Sequence, residues 1–164
     1  MPMESLRDLY IEELKDLYSA ENQILKALPK MAKKASSERL RAAFEEHLEV
    51  TRGQVERLDT IFGDLERSPR GKRCKGMAGL IEEGADLMGE EAEADIRDAA
   101  LIGSAQKVEH YEIAAYGTVR TYAERLGLDK HSRLLQETLD EEGRADHTLT
   151  EIAETSVNRQ AQAR

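Results

Sequence analysis

The sequence predicts an all-α protein built around four long helices, and three observations carry that expectation. Aromatic residues make up only 4% of the 164 residues and Pro occurs three times, while Ala, Leu, Glu, Lys and Arg dominate, a composition of strong helix formers. Apolar residues recur at spacings of three and four along four segments, the period of a helix with one buried face. Turn and capping chemistry, at Ser36-Ser37, Gly63 and Gly127, falls between those segments.

The first helix is expected from about Glu4 to Lys34, with Leu14, Leu17, Ile24, Leu28 and Met31 on its apolar seam. Ser36-Ser37 supplies a turn and an N-cap, and Glu38 and Arg39 begin a second helix that runs to about Phe62 through Leu40, Phe44, Leu58 and Ile61. Gly63 ends it, and the stretch to Gly76 is rich in Gly, Pro and basic residues, which is loop chemistry. A short helix follows from about Met77 to Met88. The third long helix spans about Glu93 to Leu126, Gly127 stops it, and the fourth covers about Lys130 to Thr155; the tail NRQAQAR is expected to fray. Two short turns and one crossover of about thirty residues describe two helical hairpins joined by a long link, the ferritin-like arrangement of a four-helix bundle. A length of 164 residues fits a single domain with a sizeable core.

Charge narrows the function classes. A formal charge of −9 and a pI of about 5.1 argue against nucleic acid and against an anionic membrane surface as partners. The run RSPRGKRCKG, Arg67 to Gly76, is locally basic and reads as a solvated loop. Cys74 is the only cysteine, so no internal disulfide is available, and it reads as an ordinary loop thiol. No basic leader with an apolar run opens the chain and no stretch is apolar enough for a membrane span, which predicts a cytoplasmic protein.

Every seam is interrupted, and by one kind of chemistry. Glu21 occupies an apolar slot of the first helix between Leu17 and Ile24. In the second helix, His47, Thr51 and Gln54 lie within the series from Leu40 to Ile61. In the third, Glu112 stands in the row Leu101, Ala105, Val108, Ala115, Val119, and Glu109 in the adjacent row Ile102, Gln106, Ile113, Tyr116. In the fourth, Glu142 stands among Leu135, Thr138, Ala145, Leu149 and Ile152, with Asp146 one turn further on the same flank. The spacing from Glu21 to Gln54 is 54 − 21 = 33, and that from Glu109 to Glu142 is 142 − 109 = 33, so each hairpin brings its pair to a similar height.

Carboxylates gathered in a low-dielectric core must protonate or find a positive partner, and no Lys or Arg occupies these slots. Metal is the economical counter-charge, and oxygen donors with an imidazole suit iron or manganese, two ions per chain or one. The candidate ligands are Glu21, Glu109, Glu112, Glu142 and Asp146; His47 and Gln54 are ligands or hydrogen-bond partners of ligands, and His110, on the inward flank of its helix, is expected to support a ligand. His131 and His147 fall off the seams and are expected to face solvent; Tyr10, Tyr18, Tyr111, Tyr116 and Tyr122 read as core.

The stretches DLYSAENQ, EEHLEVTRGQVERL, AALIGSAQKVEHYEIAAYGT and TLDEEGRADHTLTEIA together resemble the YciF/YciE-like family, a ferritin-like group described as a domain of unknown function. The resemblance covers nearly the whole chain. It implies a ferritin-like bundle with a dimetal centre, an association with bacterial stress responses, and homodimers, but no particular reaction. Broader dimetal ferritin-like proteins take a Glu from the first and third helices and a Glu-x-x-His pair from the second and fourth. By that resemblance Glu21, Glu109 and Glu142 match, and Glu112 resembles the extra carboxylate of rubrerythrins. Gln54 stands where a bridging Glu belongs, and Arg57 and Ala145 stand where the histidines belong, so a lopsided or single-metal site is left open, with Asp146 and His47 as replacements. The leading expectation is a metal-dependent redox protein that reacts with peroxide or oxygen, with an unidentified redox partner. The alternative is a non-catalytic bundle that buffers metal or binds a protein partner. A DNA-condensing cage is disfavoured by the charge and by the lack of a basic tail.

Overall fold

A computed structural model gives the positions of residues 2–164, and the described residues form helices and no strand. The elements are α1 (Leu6–Lys34), α2 (Glu38–Leu65), α3 (Lys75–Gly89), α4 (Ala94–Arg125), α5 (Asp129–Ile152), a π-helical turn over Ala153–Val157, and α6 (Asn158–Gln162). No helix is long and apolar enough to cross a membrane.

Local chemistry explains where each helix starts and stops. The hydroxyl of Ser5 accepts from the Asp8 N–H and that of Ser37 from the Leu40 N–H, satisfying donors that the first turns of α1 and α2 leave free. The second helix runs two residues past Gly63, because Leu65 is buried in the core, and is capped instead by Glu66, whose φ of 54° is left-handed. Gly127, at φ 72°, makes the tight turn from α4 into α5.

Packing follows the two hairpins. Helix α1 lies against α2 and α4 against α5, while α1 also touches α4 and α2 touches α5; α3, in the crossover, covers α1 and α4. The apolar core is divided into two clusters. One gathers Ile24, Leu28, Phe44, Leu101, Leu149 and Ile152, the other Tyr10, Leu14, Leu58, Ile61, Val119 and Leu135. Between them lies a layer of buried polar side chains from all four long helices.

Three expectations are corrected. The tail, expected to fray, is helical: α6 packs on α4, and the Arg164 guanidinium reaches Asp95 at 2.9 Å. Cys74 is not a loop thiol. Its side chain is buried, its sulfur caps α3 by accepting from the Met77 N–H, and it lies 3.1 Å from the Tyr111 hydroxyl, which itself donates to Asp16 at 2.8 Å. His131 does not face solvent. It is 4% exposed, with Nδ1 3.2 Å from the Tyr10 hydroxyl and Nε2 3.2 Å from Asp64, partners more than sixty residues distant that no local pattern announces.

Candidate metal centre

The polar layer is built from positions that helical periodicity turns inward. Glu21 on α1, Thr51 and Gln54 on α2, Glu109 and Glu112 on α4, and Thr138 and Glu142 on α5 are all buried, with His47 close behind at 9% exposure. Glu109 and Glu112 are three residues apart, which places both carboxylates on one face of α4. Two groups of donors result. His47, Glu109 and Glu142 each offer an atom within 4.8 Å of the others, and so do Glu21, Glu112 and Glu142. Glu142 belongs to both and joins them.

Electrostatics makes this layer costly without a counter-charge. Burial is the main cause that raises Glu21 from 4.5 to about 8 and Glu109 to about 7. Burial and the neighbouring carboxylates also hold Glu112 and Glu142 well above the ordinary carboxylate range. Glu21 and Glu112 each offer an oxygen within 4.8 Å of the other, as do Glu109 and Glu142, so the two pairs titrate together. Yet both oxygens of Glu21 and of Glu142, and Oε2 of Glu109 and of Glu112, are buried without a hydrogen-bond donor. His47 Nε2 stands 2.8 Å from Glu109 Oε1 but without the alignment of a hydrogen bond. Orphaned buried oxygens of this kind could take a cation, and the donor chemistry fits a hard divalent metal. The four carboxylates sum to −4 when ionised, which two divalent ions would neutralise.

The other sequence candidates fall around these groups. Asp146 belongs to neither; its oxygens accept from Gln106 at 3.4 Å and lie 3.1 Å from His110 Nε2. His110 is not on an inward flank as the pattern suggested: its side chain is 67% exposed, because α4 carries it just past the α5 contact. His147 is exposed, as expected. Gln54 is fully buried at the layer, with Nε2 3.4 Å from Glu141 and Oε1 unpartnered. Arg57 does not reach the donor groups. It forks onto both oxygens of Glu141, bonds Thr138 at 3.0 Å, and pairs with Glu137 at 3.3 Å. Glu141 escaped the sequence reading because it stands beside a seam position rather than on one; its only local signal was adjacency to Glu142. Tyr116 is core, as read, but its hydroxyl is buried without a partner at the edge of the layer, where Glu21, Glu112 and Glu142 push its pKa up further than burial alone.

Two cavities reach this centre. One, of about 280 Å³, lies between α1, α3 and α4; the other, of about 330 Å³, lies between α2 and α5. Leu28, His47, Ala105 and Glu109 line both.

The model of a family described as a domain of unknown function, DUF892, matches residues 5–162. Protein YciF of Escherichia coli (strain K12) is 48% identical over 164 residues, 99% of this chain and 98% of that protein. The crystal structure of the E. coli stress protein YciF superposes with a TM-score of 0.91 at 46% identity, covering 95% of this chain and 99% of that one. YcfI from Rhodopseudomonas palustris gives 0.87 at 44% identity, covering 90% and 94%.

Proposed function

The chain belongs to the DUF892 family, and from that premise and its buried donor layer we propose that it is a ferritin-like metal-binding protein of the stress response. The two hairpins and their crossover form a single ferritin-like four-helix bundle, and Glu21, Glu109, Glu112, Glu142 and His47 hold two iron or manganese ions. The observation that carries the reading is the pair of donor groups sharing Glu142, with buried carboxylate oxygens that lack any donor.

Bound there, iron or manganese would supply redox chemistry toward peroxide or oxygen. The residues divide the remaining work. Glu142, common to both groups, would join the two ions' donor sets, while Glu109 brings a carboxylate 2.8 Å from the His47 imidazole. The Tyr116 hydroxyl is a proton donor without a present acceptor at the edge of the layer. The apolar clusters on either side lower the local dielectric, which strengthens the charge interactions inside. The chain is read as a cytoplasmic homodimer served by a redox partner.

A second reading, metal buffering without turnover, is favoured by one observation: on α2, neutral Gln54 and the diverted Arg57 leave His47 as the only strong donor. Anaerobic loading with Fe²⁺ or Mn²⁺ followed by elemental analysis tests the shared premise. Glu109→Ala should abolish tight binding and His147→Ala should preserve it, since His147 is exposed. Equal loss in both variants, or no uptake by the unaltered chain, would overturn it. Oxidation of the loaded iron by peroxide then separates the redox reading from buffering.

A further inference from the structure

We propose that the cavity beneath α3 binds a single-chain fatty acid, its carboxylate held at a mouth formed by Lys26, Lys30 and Arg73 and its alkyl chain running inward toward His47 and Glu109. Binding itself follows from the cavity; only its use as a substrate approach rests on the metal reading above.

The cavity is amphiphilic in one direction. Its walls are Ile24 and Leu28 from α1, Ile81 and Met88 from α3, and Leu101 and Val108 from α4. Lys26 and Lys30 lie one turn apart on α1, and Arg73 belongs to the loop that enters α3. All three are exposed, and among the described residues none is in an ion pair. Glu109, at the inner end, is the only acid among the lining residues. On a chain of net charge −9, a mouth with three uncommitted cations and no carboxylate departs from the average surface. It is a local attraction for an anion.

Each simpler ligand fails on one half of this arrangement. A small polyanion such as phosphate would meet the cations but leave the apolar interior empty. A neutral hydrocarbon would fill the interior and leave the cations without a counter-charge. A two-chain lipid is too large for about 280 Å³, which lies at the small end of ligand pockets, about 300 Å³ and upward. One alkyl chain with one carboxylate satisfies both halves. The cavity on the α2 and α5 side is lined by Glu46, Glu141, Arg144 and Thr148, so it lacks this polarity and is not assigned a fatty acid.

Calorimetry with monomeric decanoate tests the assignment, on metal-free protein and again after loading with Mn²⁺. Decanoate should bind at one site per chain and octanoate about sixteenfold more weakly, because each buried methylene contributes about fourfold. Decyltrimethylammonium, equal in chain and opposite in charge, should bind at least about tenfold more weakly. The exposed triple variant Lys26→Glu, Lys30→Glu, Arg73→Glu should reverse that order. Ala85→Trp, at an exposed lining position, should remove decanoate binding with the helical circular dichroism unchanged. Equal affinity for the two amphiphiles, no dependence on chain length, or decanoate binding indifferent to both variants would overturn the site. Decanoate bound without Mn²⁺ uptake would keep the cavity and discard the metal reading; Mn²⁺ uptake without decanoate binding would do the reverse.

Discussion

Raising the pH of metal-free protein from about 5 to about 8 should weaken the fold, and the magnitude follows from the buried layer. In the unfolded chain Glu21, Glu109, Glu112 and Glu142 titrate near 4.5, whereas in the fold Glu109 titrates at about 7, Glu21 at about 8, and the other two well above their ordinary value. Across that window the folded state holds more protons than the unfolded one, so stability falls as pH rises. Glu109 alone accounts for about 3 kcal/mol once the pH has passed 7, at about 1.4 kcal/mol for each tenfold change in proton concentration between 4.5 and 7. The other three act in the same direction, although titration in pairs makes the contributions less than additive. Against a domain stability of about 5–15 kcal/mol this is a large fraction. Exposed acids do not obscure the trend. Asp8, lowered by its bond to Ser5, and Asp64, lowered by Lys130, contribute stability that is lost only as pH falls below the ordinary range. Urea unfolding followed by circular dichroism, with chelator and then with saturating Mn²⁺, is the assay. The midpoint should fall with pH in chelator, fall less in Glu112→Gln, and stay level with Mn²⁺. A metal-free midpoint that is flat or rises between pH 5 and 8 would refute the argument that these acids are held protonated by burial.

Gln54→Glu places a fifth acid in the layer, so metal-free stability at neutral pH should drop by several kcal/mol while the affinity for Mn²⁺ rises; thermal melts and metal titration read the two effects, which have opposite signs. His131→Ala leaves the Tyr10 hydroxyl buried without its partner and should cost about 1–3 kcal/mol in urea unfolding, with metal content unchanged.

The all-helical architecture was legible because burial on one side of a helix writes a period into the chain. Leu14, Leu17, Glu21, Ile24 and Leu28 on α1, and Leu40, Phe44, His47, Thr51, Gln54, Leu58 and Ile61 on α2, are all buried as that period required. The same period exposed the acids, since a carboxylate in an apolar slot is visible without coordinates. What stayed illegible depends on contacts distant in sequence. His131 is flanked by Lys130 and Ser132, and only Tyr10 and Asp64 make its position an interior one. Cys74 sits in a basic run that reads as solvated, yet Tyr111 and Asp16 enclose its sulfur. The tail has no apolar stripe of its own; the π-helical turn at Ala153–Val157 carries one more residue per turn and redirects it onto α4. Asp146 shares the flank of Glu142, but one turn of rise carries it to Gln106 and His110 instead of the two donor groups.

Asp98 on α4 has a bearing on cooperativity. Its two carboxylate oxygens accept from the Ser36 and Ser37 N–H groups, each at 2.8 Å, and so it supplies the anion at the start of α2 from the other hairpin. The turn that closes the first hairpin is therefore completed by a residue that arrives some sixty positions later in the chain. Opening the first turn of α2 breaks both of these bonds, so fraying there is coupled to the position of α4.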